Sequence, residues 1–353
     1  MNLPSIYVDT KKIQKNAELV VNICKKSGIE VMGITKGICA FIPAVKAMLD
    51  GGVPKLGDSR MINIISMRDA GIDVPIYLIR IPMMAEIENV IKFTYGSLNS
   101  ELAVIKALSE KAVILNKVHK VILMVDVGDL REGVLPENVL DIVEKILELP
   151  NIELEGLGAN VGCYGGVLPS YENTKTLVDL AMKIESKYKI QLKTLSGGST
   201  VNLDLLDNGE MALGINQLRI GEATLLGTDI KTLKSIPGAE VNTIVLKTQV
   251  IELKVKPSRP IGKIGRDAFG KIVDFQDRGN RKRAIVALGK QDCGLDGISP
   301  MDSSIKILGA SSDHMILDVT DCELEIQVGS IIEFNMDYGG MLDLTTSKYV
   351  EKN

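Results

Sequence analysis

Short apolar runs alternate with longer segments of helical spacing over the first two thirds of the chain. Eight of these runs, rich in branched residues, are typical of buried strands. They cover residues 31–35, 55–58, 76–80, 95–98, 121–126, 154–160, 194–197 and 217–221. Eight strands alternating with helical segments predict an α/β fold, a TIM-type (βα)8 parallel barrel ringed by helices.

The segments between these strands predict the helices of the barrel. They lie at residues 43–50, 59–70, 100–116, 137–149, 170–187 and 201–211, with Ser59, Ser100 and Ser170 as N-caps. An open doubly wound sheet would alternate in the same way, but it rarely reaches eight units and commonly carries G-x-G-x-x-G after its first strand. Here the first strand ends in Thr35-Lys36-Gly37 instead, which favours the barrel.

The pattern changes after about residue 230. Strands are predicted at residues 242–255, 283–288, 315–319 and 330–335, separated by Gly, Pro and Asp turns and without a long helical period. We therefore predict a barrel over residues 11–232, and a smaller β-rich domain formed by residues 1–10 and 233–353. The run Arg281-Lys282-Arg283 is interpreted as a solvated strand edge rather than a ligand site.

Composition and charge narrow the class of protein. The chain has 353 residues, of which 45% are hydrophobic, so it can bury a large core. A net charge of -4 lacks the basic surplus of nucleic-acid-binding proteins. The first ten residues carry no basic stretch followed by an apolar run, and no window has the length of a bilayer span. We expect a cytoplasmic protein that binds neither nucleic acid nor membranes.

Cysteine and histidine are sparse in the chain. Five cysteines are scattered without a C-x-x-C pair, and there are only two histidines. This usage predicts neither a disulfide framework nor a catalytic metal site. The chemistry is expected to come from other side chains.

The C-terminal ends of barrel strands are where barrel enzymes build their active sites. Polar residues at these predicted ends are Lys36, Asp58, Arg80, Asn99, Asp126 with Arg131, Asn160, Ser196 with Ser199, and Arg219. Lys36 follows an apolar strand, and desolvation there would favour the neutral amine that reacts with aldehydes. A solvated lysine at a strand end is the alternative.

Two glycine-rich stretches give Lys36 a context. Ser196-Gly197-Gly198-Ser199 follows the seventh predicted strand, and Arg219-Ile220-Gly221-Glu222 follows the eighth. The loops after these two strands frequently form a phosphate site in barrels. Together with the lysine, they indicate a phosphorylated aldehyde cofactor.

At this point the chain resembles the barrel-fold (fold type III) pyridoxal-phosphate enzymes of the alanine racemase type, which include basic amino-acid decarboxylases. The similar segments are residues 6–16, Gly33-Ile34-Thr35-Lys36, residues 126–133, Leu218-Arg219-Ile220-Gly221, residues 309–314 and Met336-Asp337-Tyr338-Gly339. The resemblance implies that Lys36 holds pyridoxal 5'-phosphate, that Arg131 faces its phenolic oxygen and that Arg219 faces its pyridine nitrogen. The full predicted cofactor-binding set is Lys36, Arg131, Asn160, Ser196, Gly198, Ser199, Arg219, Gly221, Glu222 and Tyr338.

Within this family the resemblance is to ornithine racemases, through residues 257–262, 267–270 and 309–314. It implies interconversion of L- and D-ornithine by removal and return of the Cα proton, with Lys36 as the base on one face. It also implies a homodimer in which the loop of residues 309–314 enters the partner's active site. Asp313 and His314 on that loop are the predicted substrate-binding residues, because a distal ammonium needs a carboxylate.

Two departures from the family leave the second base open. Alanine racemases have a phosphate-binding tyrosine four residues after the lysine, where this chain has Ala40, and the stretch 261–269 lacks their catalytic tyrosine. Asp267, Ser312, Cys293 and His314 are the candidates, with Asp267 and Ser312 assigned as catalytic.

Several other functions stay open. The substrate could be alanine, lysine or a broad set of amino acids. A related decarboxylase is disfavoured, because those enzymes typically place an acidic residue where Arg219 stands, and a non-enzymatic cofactor carrier of the same barrel would lack the β-rich domain. An enzyme that uses Lys36 without a cofactor remains the last alternative.

Overall fold

The structure is a computed structural model that describes residues 2–229, 234–267, 269–272 and 274–353. The chain divides into two compact units: a barrel unit, Thr10–Val241, and a C-terminal unit in which Met1–Asp9 joins Asn242–Asn353. The boundary predicted between residues 232 and 233 lies outside the described residues.

The described strands, in chain order, are β1 (Ser5–Val8), β2 (Glu30–Ile34), β3 (Lys55–Asp58), β4 (Ile76–Leu78), β5 (Gly96–Asn99), β6 (His119–Val125), β7 (Ile152–Ala159), β8 (Thr194–Ser199), β9 (Gln217–Ile220), β10 (Thr228–Asp229), β11 (Lys234–Ser235), β12 (Ile244–Pro257), β13 (Asn280–Val286), β14 (Ile298–Pro300), β15 (Lys306–Ala310), β16 (Met315–Asp318), β17 (Ile331–Met336) and β18 (Glu351–Lys352). The described α-helices are α1 (Thr10–Lys26), α2 (Ile42–Asp50), α3 (Met61–Asp69), α4 (Ile87–Phe93), α5 (Leu102–Ile114), α6 (Val139–Leu147), α7 (Tyr171–Tyr188), α8 (Leu203–Asp207), α9 (Glu222–Leu225) and α10 (Tyr338–Thr346). Among the described residues, no helix combines the length and apolar character that a bilayer-spanning helix requires.

Strands β2 to β9 close into a parallel barrel. The last barrel strand returns to the first, with Met32 of β2 opposite Arg219 of β9. A core cluster inside the barrel unit is formed by Met32, Ile34, Tyr77, Leu98, Ile122 and Met124. Every predicted barrel strand is present, and the predicted (βα)8 barrel with a smaller β-rich part is confirmed.

The predicted helix caps are correct at one position of three. Ser170 caps α7 in a capping box, since its hydroxyl accepts a hydrogen bond from Asn173 N and its own N–H donates to Asn173 Oδ1. The caps predicted at Ser59 and Ser100 are wrong. The N-caps of α3 and α5 are one residue later, at Arg60 and Glu101, and neither makes a side-chain cap hydrogen bond. At α3, the carboxylate of Asp58 is the side chain that accepts the Arg60 N–H.

The helix predicted at residues 201–211 is shorter than expected. A 3-10 turn, Thr200–Asn202, leads into α8, which ends at Asp207. Gly209 then takes a φ of +69°, a left-handed conformation that ends helices. Strand β8 runs two residues beyond the predicted end at Gly197 and includes Ser199, whereas Arg219 lies in β9 within the predicted bounds 217–221.

The C-terminal unit is built on one mixed sheet of eight strands, in the order β14-β17-β12-β13-β16-β15, with β1 beside β12 and β18 beside β1. Strand β13 pairs with β12 on one side and with β16 on the other. Arg281-Lys282-Arg283 therefore lies in an interior strand, and the predicted solvated edge is wrong. Helix α10 was also not expected; its N-cap Asp337 accepts a hydrogen bond from Gly340 N at 2.8 Å, and Met341 and Leu344 are buried.

A buried histidine makes the stability of the barrel unit dependent on pH. His119 begins β6 with its Nε2 atom 2.8 Å from Ser97 Oγ, and burial lowers its pKa from 6.5 to about 4. Between pH 6.5 and 4, His119 is therefore protonated in the unfolded chain and neutral in the folded chain. Its neutral form in the folded chain costs no stability above pH 6.5, and the free energy of unfolding decreases as the pH falls through this window.

We expect His119→Gln, which keeps a hydrogen-bonding group near Ser97, to flatten this pH dependence. Between pH 7 and pH 5, the free energy of unfolding should fall by roughly 2 kcal/mol more in the wild type than in the variant. Urea unfolding at the two pH values measures the difference. Equal losses in both proteins would show that His119 keeps an ordinary pKa.

Candidate active site

Lys36 is the first residue of a 3-10 turn, Lys36–Ile38, that directly follows β2 at the C-terminal end of the barrel. Its side chain is half-buried between residues that are fully enclosed, Thr35 and Gly37. Burial lowers the pKa of Lys36, the positive charges of Arg131 and Arg219 lower it further, and Cys163 and Asp58 oppose the shift. The site thus enlarges the neutral, nucleophilic fraction of this amine.

A buried carboxylate fixes the backbone that carries Lys36. Asp58, at the end of β3, is fully buried and accepts a hydrogen bond from Thr35 Oγ1 at 2.7 Å. Its other oxygen accepts hydrogen bonds from Arg60 N at 2.9 Å and Asn63 Nδ2 at 3.0 Å. Burial raises the pKa of Asp58, and these hydrogen bonds favour the ionised form. Asp58 therefore joins the first two strands of the barrel beside the lysine.

Arg219 lies inside the barrel at the end of β9, with a side chain that is almost entirely buried. Its guanidinium donates to Ser196 Oγ at 2.7 Å, to the Ala159 carbonyl at 2.8 Å and to Asn160 Oδ1 at 3.2 Å. Burial lowers the pKa of Arg219 to about 10, so the group is a cation at neutral pH. Three residues predicted from separate strands, Asn160, Ser196 and Arg219, thus form one hydrogen-bonded cluster.

Arg131 lies on the loop after β6 and is partly exposed. Its Nη1 atom donates to Cys163 Sγ at 2.9 Å, and its guanidinium also pairs with the carboxylate of Glu132. Burial lowers the pKa of Arg131, but hydrogen bonding and charge attraction from Glu132 outweigh it and the net shift is upward. No role was predicted for Cys163, and its position 32 residues from Arg131 gave no sequence signal.

The loop that carries Arg131 depends on a glycine. Gly133 has a φ of +141°, and a Cβ atom there would lie 2.4 Å from Asp126 N. Any other residue would push the loop away from the end of β6. Asp126 Oδ1 also accepts hydrogen bonds from the backbone N–H groups of Gly128 and Leu130.

The glycine-rich end of β8 forms a tight cradle. Gly198 has a φ of +146°, and a Cβ atom there would lie 2.0 Å from Asn202 Oδ1. That oxygen accepts a hydrogen bond from Ser199 N at 3.0 Å. Gly221 packs on Ile34, the residue that ends β2, so the two glycine-rich segments lie at the same end of the barrel as Lys36. The carboxylate of Glu222 accepts a hydrogen bond from Thr228 Oγ1.

These residues fit a phosphorylated aldehyde. Lys36 supplies an amine of lowered pKa, and Arg131 and Arg219 supply positive charge for the polar atoms of an anionic aromatic ring. At Gly198 the Asn202 amide lies where a Cβ atom would be, so only glycine allows the backbone of this segment to pass so close. Among the described residues, no group of three or more His, Cys, Asp or Glu side chains could hold a metal ion.

The remaining predicted site residues lie in the C-terminal unit, and Ser312, Asp313 and His314 among them share one loop. Asp313 Oδ1 lies 2.8 Å from His314 Nδ1 and accepts a hydrogen bond from Ser312 Oγ at 3.2 Å. All three residues of this loop are exposed. The His314 hydrogen bond contributes most to holding the pKa of Asp313 below its usual value.

The other candidates for the second base differ in chemistry. Asp267 accepts hydrogen bonds from the N–H groups of Lys271 and Phe269, and the Lys271 bond contributes most to lowering its pKa. Cys293 is buried, and burial raises the pKa of its thiol to about 12. Cys293 is thus a thiol that keeps its proton at neutral pH. Tyr338 begins α10 and is half-buried.

A closed (βα)8 barrel with a desolvated strand-end lysine, whose pKa two arginines lower further, defines the class of protein. Residues 8–228 match the family described as alanine racemase, N-terminal domain, and the chain belongs to the alanine racemase family. Its solved-structure likenesses include an alanine racemase of Clostridium difficile 630, with a TM-score of 0.75 and 18% identity over 100% of this chain and 97% of that chain. At this identity the likeness concerns the fold.

Two full-length relatives narrow the class to amino-acid racemases. The ornithine racemase of Acetoanaerobium sticklandii is 43% identical over 350 residues, covering 99% of this chain and 99% of the relative. The lysine racemase of Thermotoga maritima is 42% identical over 353 residues, covering 100% of this chain and 98% of the relative. The chain is an amino-acid racemase.

Proposed function

We propose that this protein is a pyridoxal-phosphate-dependent racemase that interconverts L- and D-ornithine. The observation that carries the proposal is the half-buried Lys36, whose pKa is lowered by burial and by two arginines at the C-terminal end of the barrel. Full-length similarity to an ornithine racemase supports the substrate. The five free cysteines support a reducing, cytoplasmic location.

Each barrel residue has a defined task in this proposal. Lys36 holds pyridoxal 5'-phosphate, which when bound takes up the negative charge that develops at Cα, and its amine moves the proton on one face of the substrate. Arg219 keeps its positive charge and would thereby keep the pyridine nitrogen of the bound cofactor unprotonated. Arg131 would pair with the phenolic oxygen. Asn160 and Ser196 orient Arg219 through their hydrogen bonds.

The phosphate would be held by groups on two glycine-rich segments. Gly198 contributes backbone and Ser199 its hydroxyl at the end of β8, because Ser199 N already donates to Asn202 Oδ1. Gly221 and Glu222 contribute backbone after β9. Tyr338 adds a hydroxyl from the C-terminal unit. Ala40 stands where the phosphate-binding tyrosine of the family is expected. The Tyr338 hydroxyl would therefore supply a larger share of the phosphate contacts.

Racemisation needs a second proton-transfer group on the opposite face. We propose that it comes from the C-terminal unit of a partner subunit in a homodimer, with Ser312 and Asp267 as first candidates. An Asp267 of lowered pKa is ionised at neutral pH, so it would act as the base in one direction. Cys293 is the weakest candidate, because its thiol is buried.

Lysine is the second candidate substrate, because a lysine racemase is nearly as similar as the ornithine racemase. Alanine or a broad range is the further alternative. The deciding test incubates the purified protein and cofactor with a panel of L-amino acids and follows the D-isomers by chiral chromatography. Ornithine should be turned over most efficiently. A preference for alanine would contradict the proposed substrate, and release of carbon dioxide would indicate a decarboxylase.

The distal ammonium of ornithine is proposed to bind Asp313 across the subunit boundary. Asp313 is exposed in the single chain, and its carboxylate is hydrogen-bonded to His314. In the proposed dimer, the active site of the partner would enclose this carboxylate. A charge-assisted contact of this kind predicts that Asp313→Asn lowers kcat/KM for ornithine by roughly tenfold to a hundredfold, with little effect on alanine.

Steady-state kinetics on both substrates measure this difference. Asp296→Asn is the matched control, because Asp296 is an exposed aspartate of the same unit and outside this loop. Equal losses on ornithine and alanine would assign Asp313 a structural role instead.

A further inference from the structure

One buried aspartate lies inside the otherwise exposed loop that carries Arg131. The loop follows β6, and among residues 126–135, all of which the structure describes, only Asp129 is buried. Leu130, between Asp129 and Arg131, has a φ of +51°, a left-handed conformation that is unusual for a leucine. The chain turns sharply at Leu130, and this turn separates the buried Asp129 from the partly exposed Arg131.

Asp129 connects this loop to the loop that follows β7, residues 161–168, which we call the β7 loop. Its Oδ1 atom accepts hydrogen bonds from Val167 N at 3.3 Å and from Cys163 N at 3.4 Å. The two loops also touch through their backbones, because a Cβ atom at Gly165 would lie only 2.6 Å from the Asp129 carbonyl oxygen. Asp129 therefore holds the β7 loop through both its side chain and its backbone.

The β7 loop is folded into a compact turn around these contacts. Gly162 N donates to the Val167 carbonyl at 2.7 Å, and Gly162 has a φ of +67°, which glycine adopts without strain. The turn presents Cys163 Sγ to Arg131 Nη1 at a distance of 2.9 Å. Asp129 thus binds the backbone of the same residue whose sulfur atom accepts a hydrogen bond from the guanidinium.

Stability alone does not account for the Asp129 carboxylate. Both hydrogen bonds to Oδ1 are long, and Oδ2 is buried with no hydrogen-bond partner in the structure. Burial of an incompletely satisfied carboxylate is unfavourable, and such groups are rare in folded proteins. A buried carboxylate that contributes little stability but joins two loops beside Arg131 is expected to serve the geometry of those loops.

From these contacts we infer that Asp129 is a positioning residue for Arg131. It binds the β7 loop to the loop that follows β6, and this contact places the Cys163 sulfur atom against the Arg131 guanidinium. Asp129 acts through Arg131 and does not itself contact the substrate. This role rests on the proposed function, in which Arg131 would pair with the phenolic oxygen of the cofactor.

The first test measures the connection between the two loops in the protein without cofactor. Amide hydrogen exchange, followed by mass spectrometry, reports on the N–H groups of residues 161–168. Asp129→Ala should speed exchange in this segment by about tenfold or more, because two N–H groups lose their acceptor. Asp129→Asn keeps an acceptor oxygen and should stay close to the wild type. Unchanged exchange in Asp129→Ala would overturn the inference.

The second test asks whether Asp129 acts through Arg131. We expect Asp129→Ala to lower racemase kcat by about tenfold, since a small misplacement of a supporting group can cost up to about a hundredfold, and Asp129→Asn to restore most of the loss. In an Arg131→Ala background, Asp129→Ala should cause no further loss, because residues that act together have non-additive effects. Losses that multiply in the double variant would show independent roles and overturn the inference. Asp141→Ala, at an exposed aspartate of α6, is the matched control.

Gly165→Ala disturbs the same contact from the β7 loop and provides a second variant if Asp129→Ala does not fold. The added methyl group would push the β7 loop away from Asp129, so exchange should rise and kcat should fall as in Asp129→Ala. Asp129→Asn should melt no lower than the wild type, because it removes a buried charge. A kcat that follows the melting temperature across all variants would overturn the inference. Absence of racemisation by the wild type would count against the proposed function, and the exchange measurement would then decide the role of Asp129 alone.

Discussion

Replacing Lys36 with alanine is expected to lower racemase kcat by about a thousandfold or more and to prevent covalent attachment of the cofactor. The variant removes the amine that we propose as both anchor and base, and a positioned acid or base alone contributes roughly 10²- to 10⁴-fold. Folding should be unaffected, because a half-buried amine whose pKa is lowered by burial contributes unfavourable desolvation rather than stability. Measured without cofactor, the melting temperature should therefore be equal to or above that of the wild type.

The attachment point can be mapped independently of activity. Borohydride reduction of the wild-type protein loaded with pyridoxal 5'-phosphate, followed by peptide mass spectrometry, should place the added mass on Lys36. Lys46→Ala is the matched control, because Lys46 is an exposed lysine on α2, and it should behave as the wild type. Attachment of the cofactor to another lysine in the Lys36→Ala variant would refute the assignment.

The barrel could be predicted because its signal is local and repeated. Each strand is a short apolar run whose neighbours in the barrel are also its neighbours in sequence, so the order of pairing follows the chain from β2 to β9. The C-terminal ends of the strands then identify Lys36 and Arg219 as neighbours in space. Helix ends were less predictable, because Asp58 binds the backbone where Ser59 was expected to form a cap.

Contacts between distant segments could not be predicted. The bond between Arg131 and Cys163 joins two loops that follow adjacent strands, and only the loop conformations bring the two side chains together. The prediction that the charged run on β13 forms a strand edge failed for a similar reason. A run of Arg and Lys is typical of an edge strand, but β13 gains neighbours on both sides from β12 and β16. Carboxylates that come much later in the chain, Asp318 and Asp321, pair with Arg281 there.

Arg219→Glu is expected to give the second largest effect, a loss of roughly a hundredfold or more in racemase kcat with a rise in transamination. A positive group beside the pyridine nitrogen keeps it unprotonated, whereas a carboxylate would favour its protonation and allow charge to spread further into the ring. Electrostatic contributions of one buried group to catalysis commonly reach 10²- to 10³-fold. The keto acid formed per turnover of D-ornithine, measured by chromatography, reports the partition.

The variant also changes the fold around it, so charge and structure must be separated. Glutamate would face the acceptor oxygens of Ala159 and Asn160 that Arg219 now satisfies, and we expect a lower melting temperature. Arg219→Gln leaves a neutral donor for the Ala159 carbonyl, and Arg219→Lys keeps the positive charge. If charge controls the reaction, transamination should rise in the order Lys, Gln, Glu, whatever the order of melting temperatures. A partition that follows stability instead of charge would show that Arg219 supports the barrel wall and does not face the ring.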